Sequence, residues 1–309
     1  MLLYTALKNK MGVEEISAIS KEYVFYLNTK FINDYLCDKL MDIQHKDIVC
    51  LASFLFDDTF LRLYTLIKTE NTDDAIQRKI KHILSYSEEK KSVELLKKIT
   101  PKGFLLVPAG KFIFGSNNSL DEKYNKLVWL PSYYISKYPV TEVVYEKDDL
   151  SLLDDSASAP CHGMTWYSAY EFAKRHCVSL PTEAQWEKAS RGIDGRQYPW
   201  GNNFVSDYVN SFESGINHFT TVGFYENIGK SPYGVVDSVG NCWEWTCSIY
   251  DKYDTESFLK GVDDTVKGDR VLRGGAFDFD LYGVTCTNRY RCNPGNGWDT
   301  HGFRVVINL

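Results

Sequence analysis

No apolar run in this chain of 309 residues approaches the length of a membrane-spanning helix, which excludes a helical membrane protein. Basic charge is also in deficit. Against 41 Asp and Glu stand 35 Lys and Arg, a net charge of −6, which argues against a nucleic-acid backbone as the main partner. The opening residues, Met1 to Glu15, lack a basic start followed by a sustained apolar stretch and a small-residue cleavage site, so no signal peptide is evident. Histidine numbers only 6, and His45 and His82 have no partner at metal-ligand spacing. There are 8 cysteines but no CxxC pair, so the sequence offers no zinc site, and without an export signal scattered free thiols in the core are expected.

Turn formers are nearly absent from Gly12 to Ile99, and that absence leaves helical patterning. Ile16, Ile19, Tyr23, Leu27, Phe31 and Tyr35 share one helical face, and Ile48 to Ile67 is a second apolar segment. Thr72 precedes a stripe of Ile76, Ile80, Ile83 and Leu84, and a last helix runs through Val93, Leu96 and Ile99 until Pro101 ends it. At Gly103 the pattern changes to strands and turns. Phe104–Ser116 reads strand–turn–strand, and Leu130–Thr141 contains another strand. Trp166–Val178 is amphipathic, and Thr182, Glu183 and Glu187 cap and charge a second helix. From Asp194 on, coil with short strands is expected.

The final forty residues are organised differently. Arg270-Val271-Leu272 and Gly302–Ile307 alternate as strands, while the run between them has no period. Loops of that length between strands usually carry function. This loop is crowded with aromatic, acidic and amide side chains, which suit recognition.

The ordered motifs VPAGKFIFGS, SKYPVT, LPTEAQWEKASRGIDGRQYPWGN, GVVDSVGNCWEWT, RVLRGG and GFRVV resemble the formylglycine-generating-enzyme-like family over roughly Gly103 to Leu309. The resemblance implies an α+β, C-type-lectin-like domain over residues 103–309, preceded by a small all-α helical module over 1–102. It also implies a structural Ca²⁺ held by Asp237, Glu244 and the carbonyls of Gly240 and Cys242, an oxygen-only set that suits that ion. Family oxidases use a copper-binding cysteine pair after the RGG turn. Those two positions fall here on Val284 and Arg289, with Cys286 and Cys292 displaced. An apolar Val cannot ligate a metal. The histidine-rich iron motif of ergothioneine-type members is also missing.

The terminal stretch further resembles variable proteins of diversity-generating retroelements, in which a fixed RGG, Arg, Pro and GFRVV frame encloses diversified positions. Arg289 and Pro294 fall on the fixed Arg and Pro. The positions implied to contact ligand are Asp278, Phe279, Asp280, Tyr282 and Gly283 in a first group. A second group holds Tyr290, Arg291, Asn293, Asn296, Trp298, Asp299, Thr300 and His301. Trp298 alone among them could not arise from an Asn codon by changes at its adenines. The resemblance thus implies a non-catalytic protein that binds a protein or other macromolecular ligand, either cytoplasmic or virion-associated. Its helical module would mediate oligomerisation or partner docking. The alternative is a metal-dependent oxidase of the same fold.

Overall fold

The computed structural model describes residues 74–309, apart from 89, 118–121, 123–124, 155–156, 252–258 and 260–266. The expected helical face of Ile16–Tyr35, the apolar segment 48–67, His45, Cys37 and Cys50 lie outside the described residues. The chain divides into two compact units, Met1–Ile99 with Leu309, and Thr100–Asn308. In the first, α1 spans Asp74–Ser85 and α2 spans Lys90–Lys98. Ile80 and Leu84 of the predicted stripe are buried, as is Leu96 in α2. No helix among the described residues is long and apolar enough to cross a membrane.

The second unit is mixed α+β. Its first strands are β1 (Phe104–Val107), β2 (Gly110–Phe114), β3 (Lys126–Leu130) and β4 (Tyr133–Ser136). The strand–turn–strand pattern is present, but β1 and β2 do not pair with each other. β1 runs antiparallel to β4 and β2 antiparallel to β3. The turn between them explains the parting. Pro108 has no N–H to donate, and the Ala109 N–H donates 2.8 Å to Ser132 Oγ, so the chain leaves one sheet and enters the next. Phe112 and Phe114 then face a core shared with Val107, Leu130, Ile135 and Val306.

Three helices follow: α3 (Glu142–Lys147), α4 (Trp166–Arg175) and α5 (Glu183–Arg191). Thr141, Thr165 and Thr182 cap them, and Thr182 forms a reciprocal capping box with Gln185; each such cap contributes about 1 kcal/mol. Cys177, within the predicted amphipathic stretch, lies past the end of α4 and is exposed. Every residue of α5 is buried. Glu183 and Glu187 are therefore not surface charges of a first turn, as their spacing suggests. Both are buried ion-pair partners.

The coil from Gly192 to Cys242 has no strand, only short 3-10 turns at Ser206–Tyr208 and Phe212–Ser214. A four-stranded sheet follows, ordered β7-β6-β5-β8, from β5 (Trp243–Ile249), β6 (Arg270–Arg273), β7 (Arg289–Cys292) and β8 (His301–Phe303). The terminal segment expected as one strand is two. β8 lies parallel to β5, whereas β9 (Val306–Asn308) joins β1 and β4 in the other sheet. The break falls at Arg304, which is fully buried and turned onto Glu244 of β5. The aperiodic loop also contains a strand, β7, paired antiparallel with β6.

Candidate binding surface

Three buried arginines fix the ends of the terminal loop. Arg273, closing β6, donates through Nη1 to the carbonyls of Thr287 and Asn288 at 2.6 and 2.7 Å and pairs with Glu187. Arg289, opening β7, forks onto Glu183: Nε donates 2.8 Å to Oε1 and Nη2 2.7 Å to Oε2. Its Nη1 donates 2.7 Å to the Asp251 carbonyl. Arg304 forks onto Glu244 at 2.6 and 2.7 Å and donates 2.9 Å to the Val236 carbonyl. Burying an ion pair is costly unless the geometry is bidentate and the remaining donors are satisfied, and these pairs approach that condition. Glycine completes the frame. At Gly275 (φ +77°) a Cβ would stand 2.6 Å from the Gly283 carbonyl oxygen, and at Gly297 it would stand 2.4 Å from that of Gly163. Neither position accepts a side chain.

Between those anchors the predicted positions turn outward. Asp278, Phe279, Asp280 and Tyr282 of the first group are exposed, as are Tyr290, Arg291, Asn293, Asn296, Trp298 and Asp299 of the second. Tyr282 is 75% and Trp298 61% exposed, although both are large and apolar. The residues between them, Val284 to Thr287, are buried with Arg289 and Cys292. Gly283 and Thr300 are half-buried. A Cβ on Gly283 would meet the Phe279 Cβ at 2.9 Å, and the Thr300 carbonyl accepts the Trp243 N–H at 2.9 Å.

His301 is a correction. It is only 3% exposed, because it opens β8 beside Trp243. Burial pushes its pKa down to about 4, so the ring is neutral near pH 7. It is part of the floor, edge-on to Trp245 and stacked beneath Trp298 with centroids 6.3 Å apart. Trp243, 2% exposed, forms the rest of that floor. Phe279 meets it edge-on at 5.1 Å and Tyr290 tilts against it at 5.7 Å.

Two surface residues come from outside the terminal stretch. The Phe212 N–H donates 2.9 Å to the Phe279 carbonyl, and Glu213 Oε1 accepts the Leu281 N–H at 2.8 Å. Phe212 is 63% exposed. Their signal in the sequence was an exposed-type coil, Ser211–Phe219, that nevertheless carries two phenylalanines.

The model of the sulfatase-modifying factor enzyme 1-like domain matches residues 89–309. The chain belongs to that family. YfmG of Bacillus subtilis, described as an uncharacterized protein, is 29% identical over 245 residues, covering 60% of this chain and 50% of that one. The chain spans about half the length of such curated relatives, or less. PvdO from Pseudomonas aeruginosa matches in structure with a TM-score of 0.57 at 20% identity, covering 67% of this chain and 94% of PvdO. Treponema denticola variable protein 1 matches with a TM-score of 0.53 at 16% identity, covering 67% and 95%. These likenesses show the C-type-lectin-like α+β fold shared with the family.

Neither position expected for the copper pair carries a cysteine. Val284 is fully buried, in an apolar cluster with Trp186, Val209, Val239 and Cys286. Arg289 is committed to Glu183. Burial pushes the Cys286 thiol up to about 12 and raises that of Cys292, so both are thiols rather than thiolates near pH 7.

The four residues named for calcium divide. Glu244 accepts from Arg304 on both oxygens and from Trp186 Nε1 at 2.6 Å on Oε2. Of the roughly four lone-pair sites of a carboxylate, one on Oε1 remains. Asp237 is the unmatched half. It is 8% exposed in an αL turn (φ +51°), accepts the Gly223 N–H at 2.6 Å, and makes no ion pair among the described residues. Burial raises its pKa to about 6, only partly opposed by the Gly223 N–H and Arg304. The Gly240 carbonyl accepts the Cys242 N–H at 2.8 Å and keeps a second lone pair. A buried carboxylate with no ion pair among the described residues is the feature here that a cation would satisfy.

Proposed function

We propose that this chain is a non-catalytic binding protein, the variable protein of a diversity-generating retroelement, that meets a macromolecular ligand through Asp278–Thr300. One observation carries the reading. Ten of the thirteen predicted contact positions are exposed, two are half-buried, and only His301 is buried, while Arg273, Gly275, Arg289 and Phe303 of the frame are buried and Pro294 is half-buried. A packed residue cannot change volume without costing roughly 1–5 kcal/mol, whereas exposed residues usually change within about 0.5 kcal/mol. The segregation is what a surface needs if its side chains are to vary over one backbone. The oxidase alternative lacks thiolate ligands at the required positions. Residues 1–102 serve this protein as a helical module for oligomerisation or docking, and calcium at Asp237, Gly240, Cys242 and Glu244 stiffens the turn before β5.

The test compares stability with position. Tyr282→Ala, Tyr290→Ala and Trp298→Ala are expected to melt within a few degrees of wild type, while Phe303→Ala, fully buried, loses about 3–5 kcal/mol. Loop variants as unstable as Phe303→Ala would show that the loop is core and end the proposal. A near-copy of the terminal coding stretch, differing at adenines and lying beside a reverse transcriptase gene, is the matching observation in DNA.

A further inference from the structure

The surface pairs open aromatic faces with carboxylates. Phe279 and Tyr290 rest on Trp243, and Trp298 rests on His301, so one side of each ring is anchored. Tyr282 and Phe212 stand beside them, each more than 60% exposed. Among the described residues, the cations that lie over aromatic rings choose others: Arg289 and Arg291 over Tyr250, Arg270 over Trp166, Arg273 over Trp186 and Lys174 over Tyr170 among them. The exposed acids on the same segments as these rings are Glu213, Asp278, Asp280 and Asp299. Arg291 is the one exposed cation within residues 276–301, and it leans toward Tyr250 at the edge.

On the binding reading above, we infer that the partner is a protein presenting Lys and Arg side chains. They seat on the open faces of Phe212, Tyr282, Tyr290 and Trp298 and are drawn in by the four carboxylates. An aromatic face attracts a cation through its quadrupole, and neighbouring acids strengthen the site without filling it. The same acids repel phosphate-bearing ligands. Part of this preference is constant. Phe212 and Glu213 lie outside the terminal stretch and are tied to it through backbone groups of Phe279 and Leu281. Those bonds do not depend on which side chains stand at 279 or 281, so the preference survives when the terminal residues change.

The probe is a random peptide library on phage, selected on the full chain at low salt. Lys and Arg are expected to rise about twofold over the unselected library while Asp and Glu fall, and the selected peptides should weaken about tenfold as salt is raised past physiological strength. Asp278→Asn with Asp299→Asn should remove most of the bias, and Glu213→Gln should remove a further part. Glu171→Gln and Asp154→Asn, exposed elsewhere, should leave it intact. A neutral or acidic selected pool, no enrichment at all, or maltohexaose or inorganic polyphosphate binding as tightly as the selected peptides would overturn the inference. If Tyr282→Ala and Trp298→Ala leave peptide binding unchanged, the surface itself is not the site and the proposed function falls too. If they abolish binding but no charge bias exists, only the cationic partner is wrong.

Discussion

Arg289 and Arg291 stand two residues apart on β7, on the same side of the strand, and both guanidinium groups stack on Tyr250, at 4.5 and 5.7 Å from its centroid. Their fates nevertheless differ. Arg289 is 6% exposed and continues past the ring to a bidentate pair with Glu183. Arg291 is exposed and forms no salt bridge among the described residues. That divergence sorts positions into frame or surface by where the side chain ends, more than by residue type or strand face. It also explains how one short strand can hold a backbone rigid while offering variable side chains to solvent.

The sharpest way to break that contrast is to remove the ends of the two side chains. Arg289→Met leaves the buried Glu183 carboxylate without its arginine fork, and should cost about 3–5 kcal/mol by chemical denaturation. Arg291→Met should stay within about 0.5 kcal/mol. Equal losses would erase the distinction.

Asp237 sharpens the comparison next, because its charge is buried like that of Glu183 but has no arginine fork. Its folded pKa of about 6 lies above the ordinary value of 3.8, so the native state holds the proton more tightly. Its contribution therefore favours folding at low pH and is lost as pH rises through about 4 to 6, on the order of 2–3 kcal/mol by pH 7. Asp237→Asn suits the αL turn and should flatten that slope and raise the melting temperature in calcium-free buffer. Calcium should do the same for wild type and nothing for the variant. A wild-type slope and melting point indifferent to both calcium and chelator would remove the ion from the site.

A smaller effect should come from Gly283. A methyl there would press on Phe279, so Gly283→Ala is expected to cost about 1 kcal/mol. Phe279→Ala in the same chain should recover most of it, and additive effects would show that the two positions are independent.

How much of this was legible in the sequence depends on the distance over which each feature is decided. Local features read correctly: Thr182 as a cap, the strand at Arg270–Arg273, the helix from Trp166. Misreadings fell where distant residues decide. β1 and β2 look like a hairpin until Ser136 and Leu130 are known as their partners. Gly302–Ile307 looks like one strand until Glu244, sixty residues earlier, takes Arg304. His301 resembles its exposed neighbours until the parallel pairing with Trp243 buries it. The retained clue was chemical: Glu183, Glu187 and Glu244 among apolar neighbours, with Arg273, Arg289 and Arg304 near the end, are charges awaiting partners.

The indole beneath Phe279 and Tyr290 has a kinetic consequence. Trp243 precedes the terminal stretch and holds two of its rings in place before any ligand arrives. Immobilising a side chain on binding costs about 0.5–1.5 kcal/mol, so rings already held against a fixed base lose less on complex formation, and that gain lengthens residence time more than it speeds encounter. Any aromatic that arrives at position 279 or 290 inherits this advantage, whereas a residue at 282, which meets no such base, does not. Binders from this scaffold should accordingly differ in off-rate chiefly at 279 and 290.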